Sequence, residues 1–205
     1  MLTIDNITCE RGGVSIFQNF SFTLGERGLL VLRGRNGCGK TSLLKIISGM
    51  IPPADGCIYF DGENIKKDMD SYRKEILYLG HKNGLNSKLT VQENLDFWCE
   101  ISGHAEMMNA AIIYFDIENV LEMPVYMLSQ GWQRRIALTR LMLSSASLWL
   151  LDEPLANLDA DVAEMVLKLI ATKCDNGGMV IMSSHKENEL EIGMEIDVSV
   201  FCKRI

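Results

Sequence analysis

The sequence predicts an α/β fold in which a mostly parallel β-sheet carries helices on both faces. Short apolar runs typical of buried strands recur at residues 29–32, 76–79, 148–151 and 179–182. Between the last two runs, apolar residues at 162, 165, 166, 169 and 170 follow the i, i+3, i+4, i+7, i+8 pattern of an amphipathic helix. Strands that alternate with helices in this way build parallel sheets.

The N-terminal residues predict an antiparallel β flap beside the strand at 29–32. Leu2 and Ile4, and less regularly Ile7, indicate a strand, and Phe20–Leu24 alternates apolar with polar residues. The glycines of Gly25–Gly28 supply the turn that leads into the apolar run. We therefore expect two antiparallel strands before the parallel sheet begins.

A mostly helical subdomain is predicted from about residue 84 to 145, inside an α/β core of residues 1–83 and 146–205. Thr90 and Glu93 form a capping-box signature at the start of one helix. A second helical stretch lies near 106–115, and a third begins near Ser129. The length of 205 residues fits one domain that includes this subdomain.

Composition and charge exclude several classes of protein. The net charge of −7 argues against a general nucleic-acid binder, which needs a basic face. No apolar run approaches the roughly 18 residues of a membrane span, and no secretory signal is visible. The six cysteines form no Cys-x-x-Cys pair, which argues against structural zinc. We expect a protein of the cytosol unless a partner holds it at a membrane, with cysteines that are mostly small buried apolar residues.

Residues 34–41 carry the strongest chemical signal, because they match the phosphate-loop pattern G-x-x-x-x-G-K-[ST] at every fixed position. A strand precedes the loop and a helix follows it, as in a P-loop NTPase (RecA-like) core. Backbone N–H groups and the helix N-terminus would bind phosphate, Lys40 would reach the β- and γ-phosphates, and Thr41 would contact Mg²⁺. The position of Cys38 in the loop predicts inhibition by thiol reagents, with protection by ATP. The predicted nucleotide contacts are Gly34, Arg35, Asn36, Gly37, Cys38, Gly39, Lys40, Thr41 and Ser42.

Two further short segments carry residues suited to phosphate chemistry. Asp152 and Glu153 directly follow the apolar run at 148–151, so they lie at the strand edge where parallel sheets bind ligands. Asp152 is suited to Mg²⁺, and Glu153 to polarising a water that attacks phosphate. Ser129 and Gly131, at the start of the third predicted helix, predict a second anion site, with an ordinary helix N-cap as the alternative.

Together these motifs resemble those of the ATP-binding-cassette (ABC) ATPase family over essentially the whole chain. Gly34–Thr41 resembles its Walker A motif, Leu148–Asp152 its Walker B motif with Glu153 at the catalytic glutamate, Ser129–Trp132 its signature motif, Ala156–Asp159 its D-loop, and His185 its switch histidine.

The resemblance implies an ATPase that uses ATP and Mg²⁺ and works as a homodimer. In this family two cassettes pack head to tail, and each ATP lies between Walker A of one cassette and the signature of the other. By this resemblance the catalytic residues are Glu153, His185 and Lys40, the signature contacts to nucleotide are Ser129, Gln130 and Gly131, and the metal contacts are Thr41, Asp152 and His81.

Three stretches resemble, more closely, the ATPase subunits of the cytochrome c biogenesis haem exporter: residues 32–37, 77–85 and 133–141. This resemblance implies integral membrane permease subunits as partners and a peripheral place on the cytoplasmic side of the inner membrane. We expect the permease to dock around His81–Gln92, which links the predicted ATP edge to the helical subdomain. No Cys-x-x-Cys-His is present, so no direct haem site is evident in this chain.

Three other functions stay open at this point: a soluble ABC ATPase of DNA repair or translation, an exporter cassette with another substrate, and a module that binds nucleotide without hydrolysing it. The acidic balance argues against the first. The presence of Glu153 and His185 argues against the last.

The sequence departs from the family pattern in three places. His81 stands where the family usually has the Q-loop glutamine, and Trp132 stands at the final glutamine of the signature. Trp132 is expected to pack against the ribose or the facing cassette. Arg11 occupies the position where the family has an aromatic residue that stacks on adenine, and a guanidinium can also stack on a base. Phe17 is the rival candidate for this contact. The plain alternative is that Arg11 is a solvated loop residue.

Overall fold

The computed structural model describes residues 1–184 and 193–202 and divides into two compact units. The first unit comprises Met1–Tyr78, Ala146–Glu153 and Ala171–Ile205, and the second comprises Leu79–Ser145 and Pro154–Ile170. The predicted helical segment of about 84–145 lies within the second unit.

The first unit contains a four-stranded antiparallel sheet. Its order is β2-β1-β4-β5. Aromatic side chains from β2 pack edge to face beneath it, with ring centroids 5.9 Å apart for Phe17 and Phe20 and 5.6 Å apart for Phe20 and Phe22. The strands are β1 (Leu2–Arg11), β2 (Val14–Leu24), β4 (Asp55–Phe60) and β5 (Glu63–Asn64).

The predicted antiparallel flap is present, but it pairs with β4 and not with β3, the strand at Leu29–Arg33. β1 pairs with β2 on one side and with β4 on the other, both antiparallel, so the flap joins a sheet of its own. Gly56, with φ 91°, allows this pairing, because a Cβ there would lie 2.5 Å from the carbonyl oxygens of Asp5 and Asn6. This close approach of two backbones cannot be read from apolar periodicity.

The second sheet is the parallel sheet that the sequence predicts. Its order is β6-β7-β8-β3-β9, and the pairs β3–β8, β3–β9 and β7–β8 are parallel. Every residue of β7 and β8 is buried, as expected for strands covered on both faces. The strands are β3 (Leu29–Arg33), β6 (Ile76–Leu79), β7 (Leu148–Asp152), β8 (Met179–Ser183) and β9 (Met194–Asp197).

The register of these strands brings three carboxyl ends to one edge of the sheet. Ser183, the last residue of β8, is opposite Leu32 of β3 on one side and Asp152 of β7 on the other. Parallel sheets bind ligands at this edge. The loop that follows β3 and the carboxylate residues at the end of β7, Asp152 and Glu153, are therefore neighbours.

Two short helices and a final turn complete the first unit. α1 (Lys40–Ile47) follows β3, and α2 (Met69–Lys74) begins at Asp68, whose carboxylate accepts from the Ser71 N–H. The Tyr72 hydroxyl donates to the Ile47 carbonyl at 2.7 Å, which ties the end of α1 to α2. A 3-10 turn, Val198–Phe201, follows β9. α2, β5 and β9 are absent from the sequence prediction because they are short and carry no clear apolar period.

The second unit is built mainly from helices. α3 (Val91–Ser102) has the predicted capping box, in which Thr90 accepts from the Glu93 N–H and Glu93 accepts from the Thr90 N–H. α4 (Met108–Tyr114) and α5 (Gln130–Leu138) follow, with 3-10 turns at Ala105–Met107, Glu118–Val120 and Val125–Met127. α6 (Ala160–Asp175), of which the part up to Ile170 belongs to this unit, buries Val162, Val166 and Ile170, three residues of the face that the periodicity predicts.

α5 is shorter than the apolar face from Trp132 to Leu143 suggests. It ends at Leu138 and tightens into a 3-10 turn over Thr139–Leu141. The Thr139 hydroxyl donates to the Ile136 carbonyl at 2.7 Å, a local bond that competes with continued α-helix. Within residues 1–184 and 193–202, no helix has the length and apolar character to cross a membrane.

Burial of the parallel sheet predicts a large effect of one core substitution. Ile181 of β8 is 0% exposed, so Ile181→Ala should lower the free energy of unfolding by about 3 kcal/mol. Ile101→Ala is the matched control, because Ile101 is 70% exposed, and its effect should stay within about 0.5 kcal/mol. Urea unfolding followed by circular dichroism measures both, and equal losses would contradict the assigned core.

Candidate functional site

The loop between β3 and α1 adopts a conformation that depends on glycine at defined positions. Gly34 and Gly39 have φ values of 128° and 103°, in the region that favours glycine. A Cβ on Gly39 would lie 2.8 Å from side-chain atoms of Ile16 and Phe17. The loop therefore packs closely against β2, and the pattern positions 34 and 39 are fixed by backbone geometry.

Lys40 begins α1 at the point where a phosphate would bind. The N-cap residue, Gly39, supplies no side-chain acceptor, so the first N–H groups of α1 keep their capacity to bind an anion. The Lys40 side chain is only 6% exposed, and its Nζ donates to the carbonyl oxygens of Gly34 at 2.7 Å and of Arg35 at 3.3 Å. The ammonium is thus held inside the loop, where it adds a positive charge to the anion site.

Thr41 and Asp152 meet across the sheet edge, although they are far apart in sequence. The Thr41 hydroxyl donates to Asp152 Oδ2 at 2.8 Å, and the Ser183 hydroxyl donates to Asp152 Oδ1 at 2.8 Å. Asp152 is 2% exposed. Burial and the charge of Asp152 raise the pKa of the nearby Tyr78 hydroxyl to about 12. A buried carboxylate beside a hydroxyl presents the hard oxygen ligands that suit Mg²⁺ in a phosphate site.

Glu153 is placed by its backbone. Its N–H donates to the Ser183 hydroxyl at 2.9 Å, and its φ of 49° lies in the left-handed region that a glutamate rarely adopts. Such a conformation persists only where the surroundings hold it, and it is common at functional sites. Ser183 therefore positions both carboxylate residues, since it bonds to Asp152 through its proton and to Glu153 through its oxygen.

Ser183 is a site residue that sequence reasoning missed. The sequence offered one usable signal, because a serine ends the strand that follows α6, as Asp152 ends β7. Only the strand register shows that these two residues are paired.

The predicted signature residues form a separate surface in the second unit. Ser129 caps α5 by accepting from the Trp132 N–H at 3.3 Å, and Ser129 and Gln130 are exposed. A Cβ on Gly131 would lie 3.4 Å from the Asn157 carbonyl oxygen, so the helix start approaches the backbone of the predicted D-loop. An open cavity of about 270 Å³ lies here, lined by Ser129, Gly131, Trp132, Arg135, Asn157, Leu158, Asp159 and Val162.

Trp132 has a cationic neighbour within its own unit. The guanidinium carbon of Arg135 lies 5.1 Å from the Trp132 ring centroid, and Arg135 Nη2 lies 3.7 Å from Asp116 Oδ2. The ring is therefore held at the wall of the cavity. Its contact with a ribose or a facing cassette stays a prediction.

The candidates for stacking on a base differ sharply in exposure. Phe17 is 0% exposed and packs in the core, so it has no face for a base. Arg11 is exposed at the end of the β1–β2 hairpin, where it pairs with Val14. The rival assignment of Phe17 is therefore wrong, and Arg11 stays a prediction.

Three other predicted residues have different outcomes. Cys38 is only 7% exposed, so its thiol is less accessible than its place in the loop suggests. His81 is exposed, and its role as a metal contact stays a prediction. His185 lies outside the described residues. Over the part of the chain that the structure describes, no group of three or more His, Cys, Asp or Glu side chains could hold a metal. A cation bound with nucleotide would contact Thr41 and Asp152, and its other ligands would be phosphate oxygens and water.

The first unit therefore holds an anion cradle, a hard-oxygen pair and a positioned carboxylate at one sheet edge. This combination can bind a phosphate chain with its cation and polarise a water beside it. The second unit holds an exposed helix N-terminus beside an open cavity.

Comparisons with known proteins agree with this geometry. The family model for ABC transporters matches residues 17–156. A cytochrome c biogenesis ATP-binding export protein CcmA from Wolbachia pipientis is 40% identical over 189 residues, which cover 92% of this chain and 91% of that protein. The protein of the same name from Vibrio parahaemolyticus is 37% identical over 190 residues, covering 91% of this chain and 93% of that protein.

Solved structures share the fold. A putative ABC transporter ATP-binding protein from Pyrococcus furiosus has a TM-score of 0.84 at 25% identity and covers 98% of this chain and 99% of its own. A dimeric ATP-binding cassette in a post-hydrolysis state, bound to ADP and Pi, has a TM-score of 0.83 at 21% identity over 100% of this chain and 97% of its own. The predicted α/β fold of the P-loop NTPase type is confirmed.

The two hydrogen bonds of Ser183 predict a specific kinetic defect. Ser183→Ala removes the donor to Asp152 and the acceptor for the Glu153 N–H, so kcat for ATP hydrolysis should fall roughly tenfold, or about 1.4 kcal/mol. ATP affinity without Mg²⁺ should change less than about twofold, because the loop contacts remain.

Ser147→Ala is the matched control for that experiment. Ser147 precedes β7 at its opposite end and donates to Glu75 at 2.7 Å. Steady-state hydrolysis and nucleotide titration measure both variants. Equal kcat values for the two would contradict the positioning role of Ser183.

Proposed function

We propose, since this chain belongs to the ABC transporter family of ATP-hydrolysing cassettes, that it is the ATPase subunit of a haem exporter in cytochrome c biogenesis. One observation carries the choice of exporter. Relatives named as cytochrome c biogenesis ATP-binding export proteins align with about nine-tenths of this chain and of their own length, at 40% and 37% identity in two organisms. A soluble cassette of DNA repair or translation is not favoured by these names.

ATP is proposed to lie with its phosphates on residues 34–42 and its base near Arg11. The loop N–H groups and the dipole of α1 hold the anion, and Lys40 adds its charge from inside the loop. Mg²⁺ fits the pair of Thr41 and Asp152, and when bound it would neutralise charge that develops on the phosphate oxygens.

Glu153 is proposed as the residue that polarises the attacking water. Its backbone N–H donates to the Ser183 hydroxyl at 2.9 Å, so the point at which its side chain leaves the main chain is held at the sheet edge. His185 is proposed as a γ-phosphate contact on the strength of its sequence position. Exclusion of bulk water would strengthen each of these interactions.

A homodimer of cassettes is proposed as the working form in the presence of ATP. Ser129, Gln130 and Gly131 present a helix start next to an open cavity, which suits an anion brought by a second chain. The γ-phosphate would then be shared by two chains, and its loss on hydrolysis would release them. The driving term is the higher affinity of the closed dimer for ATP than for ADP.

The membrane partner is proposed to dock at His81–Gln92, because a hydrogen bond joins the start of this segment to α5, the signature helix that Ser129 caps. Arg134 of α5 is 5% exposed, and its Nη1 donates to the Gly80 carbonyl at 2.9 Å and to Asn83 Oδ1 at 3.3 Å. A displacement of residues 80–83 is therefore transmitted to the helix that Ser129 caps.

The same segment is also tied to α3. Asn94 Oδ1 accepts from the Asn86 N–H at 2.8 Å, and Asn94 Nδ2 donates to the Asn86 carbonyl at 3.2 Å. Arg134 and Asn94 both lie in the second unit, so hydrogen bonds within this unit link the proposed docking segment to α5 and to α3. The cassette itself is proposed to be peripheral, on the cytoplasmic side of the inner membrane, with integral permease subunits as partners and no haem site of its own.

Removal of the Glu153 carboxylate tests the catalytic and dimer proposals together. Glu153→Gln should lower ATP hydrolysis by at least about 100-fold while phosphate contacts remain. With MgATP, its mass by light scattering should double from the 23.0 kDa of the monomer. Glu164→Gln, which alters a surface ion pair with Lys168, should behave as the parent does. Parental hydrolysis by the Glu153 variant would refute the assignment.

Site-specific crosslinking tests the docking segment. A photo-crosslinking residue at exposed Lys82 should capture integral membrane proteins from the membranes of cells that express the chain. The control position is Lys67, which is also exposed but lies in the first unit. Capture only from Lys67 would contradict the docking site, and capture of DNA-repair or ribosomal proteins in place of permeases would contradict the exporter proposal.

A further inference from the structure

Two cysteines that are distant in sequence lie together beside the phosphate loop. Cys202 Sγ donates to the Cys38 carbonyl oxygen at 3.4 Å, across 164 residues of sequence. Cys202 ends the 3-10 turn Val198–Phe201 and also donates to the Val198 carbonyl at 3.6 Å. The second thiol therefore packs directly on the backbone of the loop.

The Cys38 sulfur lies on the same side of the loop as this turn. A Cβ on Gly34 would meet both Cys38 Sγ and Ser199 Oγ at 2.7 Å. The Arg35 N–H donates to Ser199 Oγ at 3.1 Å, which ties the start of the loop to the turn that ends at Cys202. Burial, and after it the charge of a Cys38 thiolate, raises the pKa of the Cys202 thiol, as expected for neighbouring sulfurs.

The two thiols differ in exposure. Cys38 is 7% exposed, whereas Cys202 is half-buried, so a small oxidant reaches Cys202 first. The raised pKa of Cys202 keeps its thiolate fraction small, so exposure selects this thiol and its reaction with peroxide is slow. Cys38 would then act as the resolving thiol, since it is already sheltered beside its partner.

We propose that Cys38 and Cys202 form an intramolecular disulfide when the protein meets a peroxide, and that this bond weakens nucleotide binding by the phosphate loop. The Cys202 thiolate attacks a peroxide oxygen, which gives a sulfenic acid and releases the other oxygen as hydroxide, protonated to water when hydrogen peroxide is the oxidant. The Cys38 sulfur then attacks the sulfenic sulfur, the S–S bond forms, and the sulfenic oxygen leaves as water. Two thiols are oxidised and one peroxide is reduced, so the step is balanced. In a reducing compartment the bond is reversed by thiols.

The loop, and not the turn, has to move when this bond forms. A disulfide requires the sulfurs to approach to about 2.05 Å, whereas Cys202 Sγ now contacts the carbonyl of Cys38. The turn is anchored, because Val198 is 0% exposed and the Phe201 ring packs 4.8 Å from the Phe20 ring centroid.

A shift at Cys38 disturbs the groups that bind phosphate. Gly37 and Gly39 flank Cys38, and their N–H groups belong to the cradle. The surroundings of Gly34 are already crowded, since a Cβ there would lie 2.7 Å from Cys38 Sγ and Ser199 Oγ and 2.9 Å from Asp197 Oδ1. Because coupling is reciprocal, bound nucleotide should in turn oppose the disulfide. The disulfide itself does not depend on the transported substrate, but its effect on nucleotide rests on the proposed role of residues 34–42.

Mass spectrometry of the full-length protein tests the bond directly. Each of the six cysteines falls on a different tryptic peptide, with Cys38 on Asn36–Lys40 and Cys202 on Glu187–Lys203. The protein is treated with hydrogen peroxide, alkylated and digested without reduction. We expect these two peptides to be linked, less so with MgATP present. A link between other cysteines, or oxidation of Cys202 to sulfinic acid with Cys38 alkylated, would overturn the proposal.

Nucleotide titration tests the consequence. Peroxide should weaken ATP binding about tenfold, and dithiothreitol should restore it. Cys202→Ser should keep its affinity under peroxide, whereas Cys57→Ser, which alters another half-buried cysteine, should lose affinity as the parent does. A linked protein with unchanged ATP affinity would overturn the effect on binding. Failure of the reduced protein to bind ATP would instead contradict the proposed function, and the peptide link would still decide the disulfide.

Discussion

The alignment of three strand ends is the constraint on which the site depends. β8 lies between β3 and β7, and its last residue is paired with both neighbours. This register places Thr41, which follows β3, 2.8 Å from Asp152, which ends β7. Every residue of β7 and β8 is buried, so a slip in register would move a whole set of apolar side chains. Core packing therefore fixes the distance between the phosphate loop and its carboxylates.

Several residues at this sheet edge adopt backbone conformations with positive φ, and these conformations position the residues of the site. Gly34 and Gly39 adopt φ values above 100°, which side chains other than hydrogen would not allow in this packing. Glu153 adopts φ 49° without being glycine, and the Ser183 hydroxyl holds it there. Conformations of this kind persist only where the surrounding structure over-determines them, as the buried strands do here. The proposed role of Glu153, polarising a water, would benefit from a backbone held in this way.

The second unit carries the residues that we propose complete the site from a second chain. Its signature helix starts at an exposed N-terminus beside an open cavity, and Arg134 ties that helix to the backbone of Gly80. Under the proposed docking at residues 81–92, a bound partner would bias the orientation of this helix through these hydrogen bonds. Cys202 contacts the Cys38 backbone, and the proposed disulfide between the two would act on the loop of the first unit. In these proposals, nucleotide and redox state act on the phosphate loop of the first unit, and the membrane partner acts on residues 81–92 of the second unit.

The sequence by itself determined the parallel α/β class, the phosphate loop and the acidic strand end, because each is encoded in short runs of residues whose spacing is set by local geometry. The resemblance of its motifs to those of known cassettes indicated the family. It also placed the helix starts at Thr90 and Ser129, since capping is a local interaction. The tertiary structure alone decided which groups meet. The pairing of β1 with β4, the burial of Phe17, the bridge that Ser183 makes and the meeting of Cys38 with Cys202 all join residues that are remote in the chain. Such contacts follow from strand register and close packing, and no short-range pattern specifies either one.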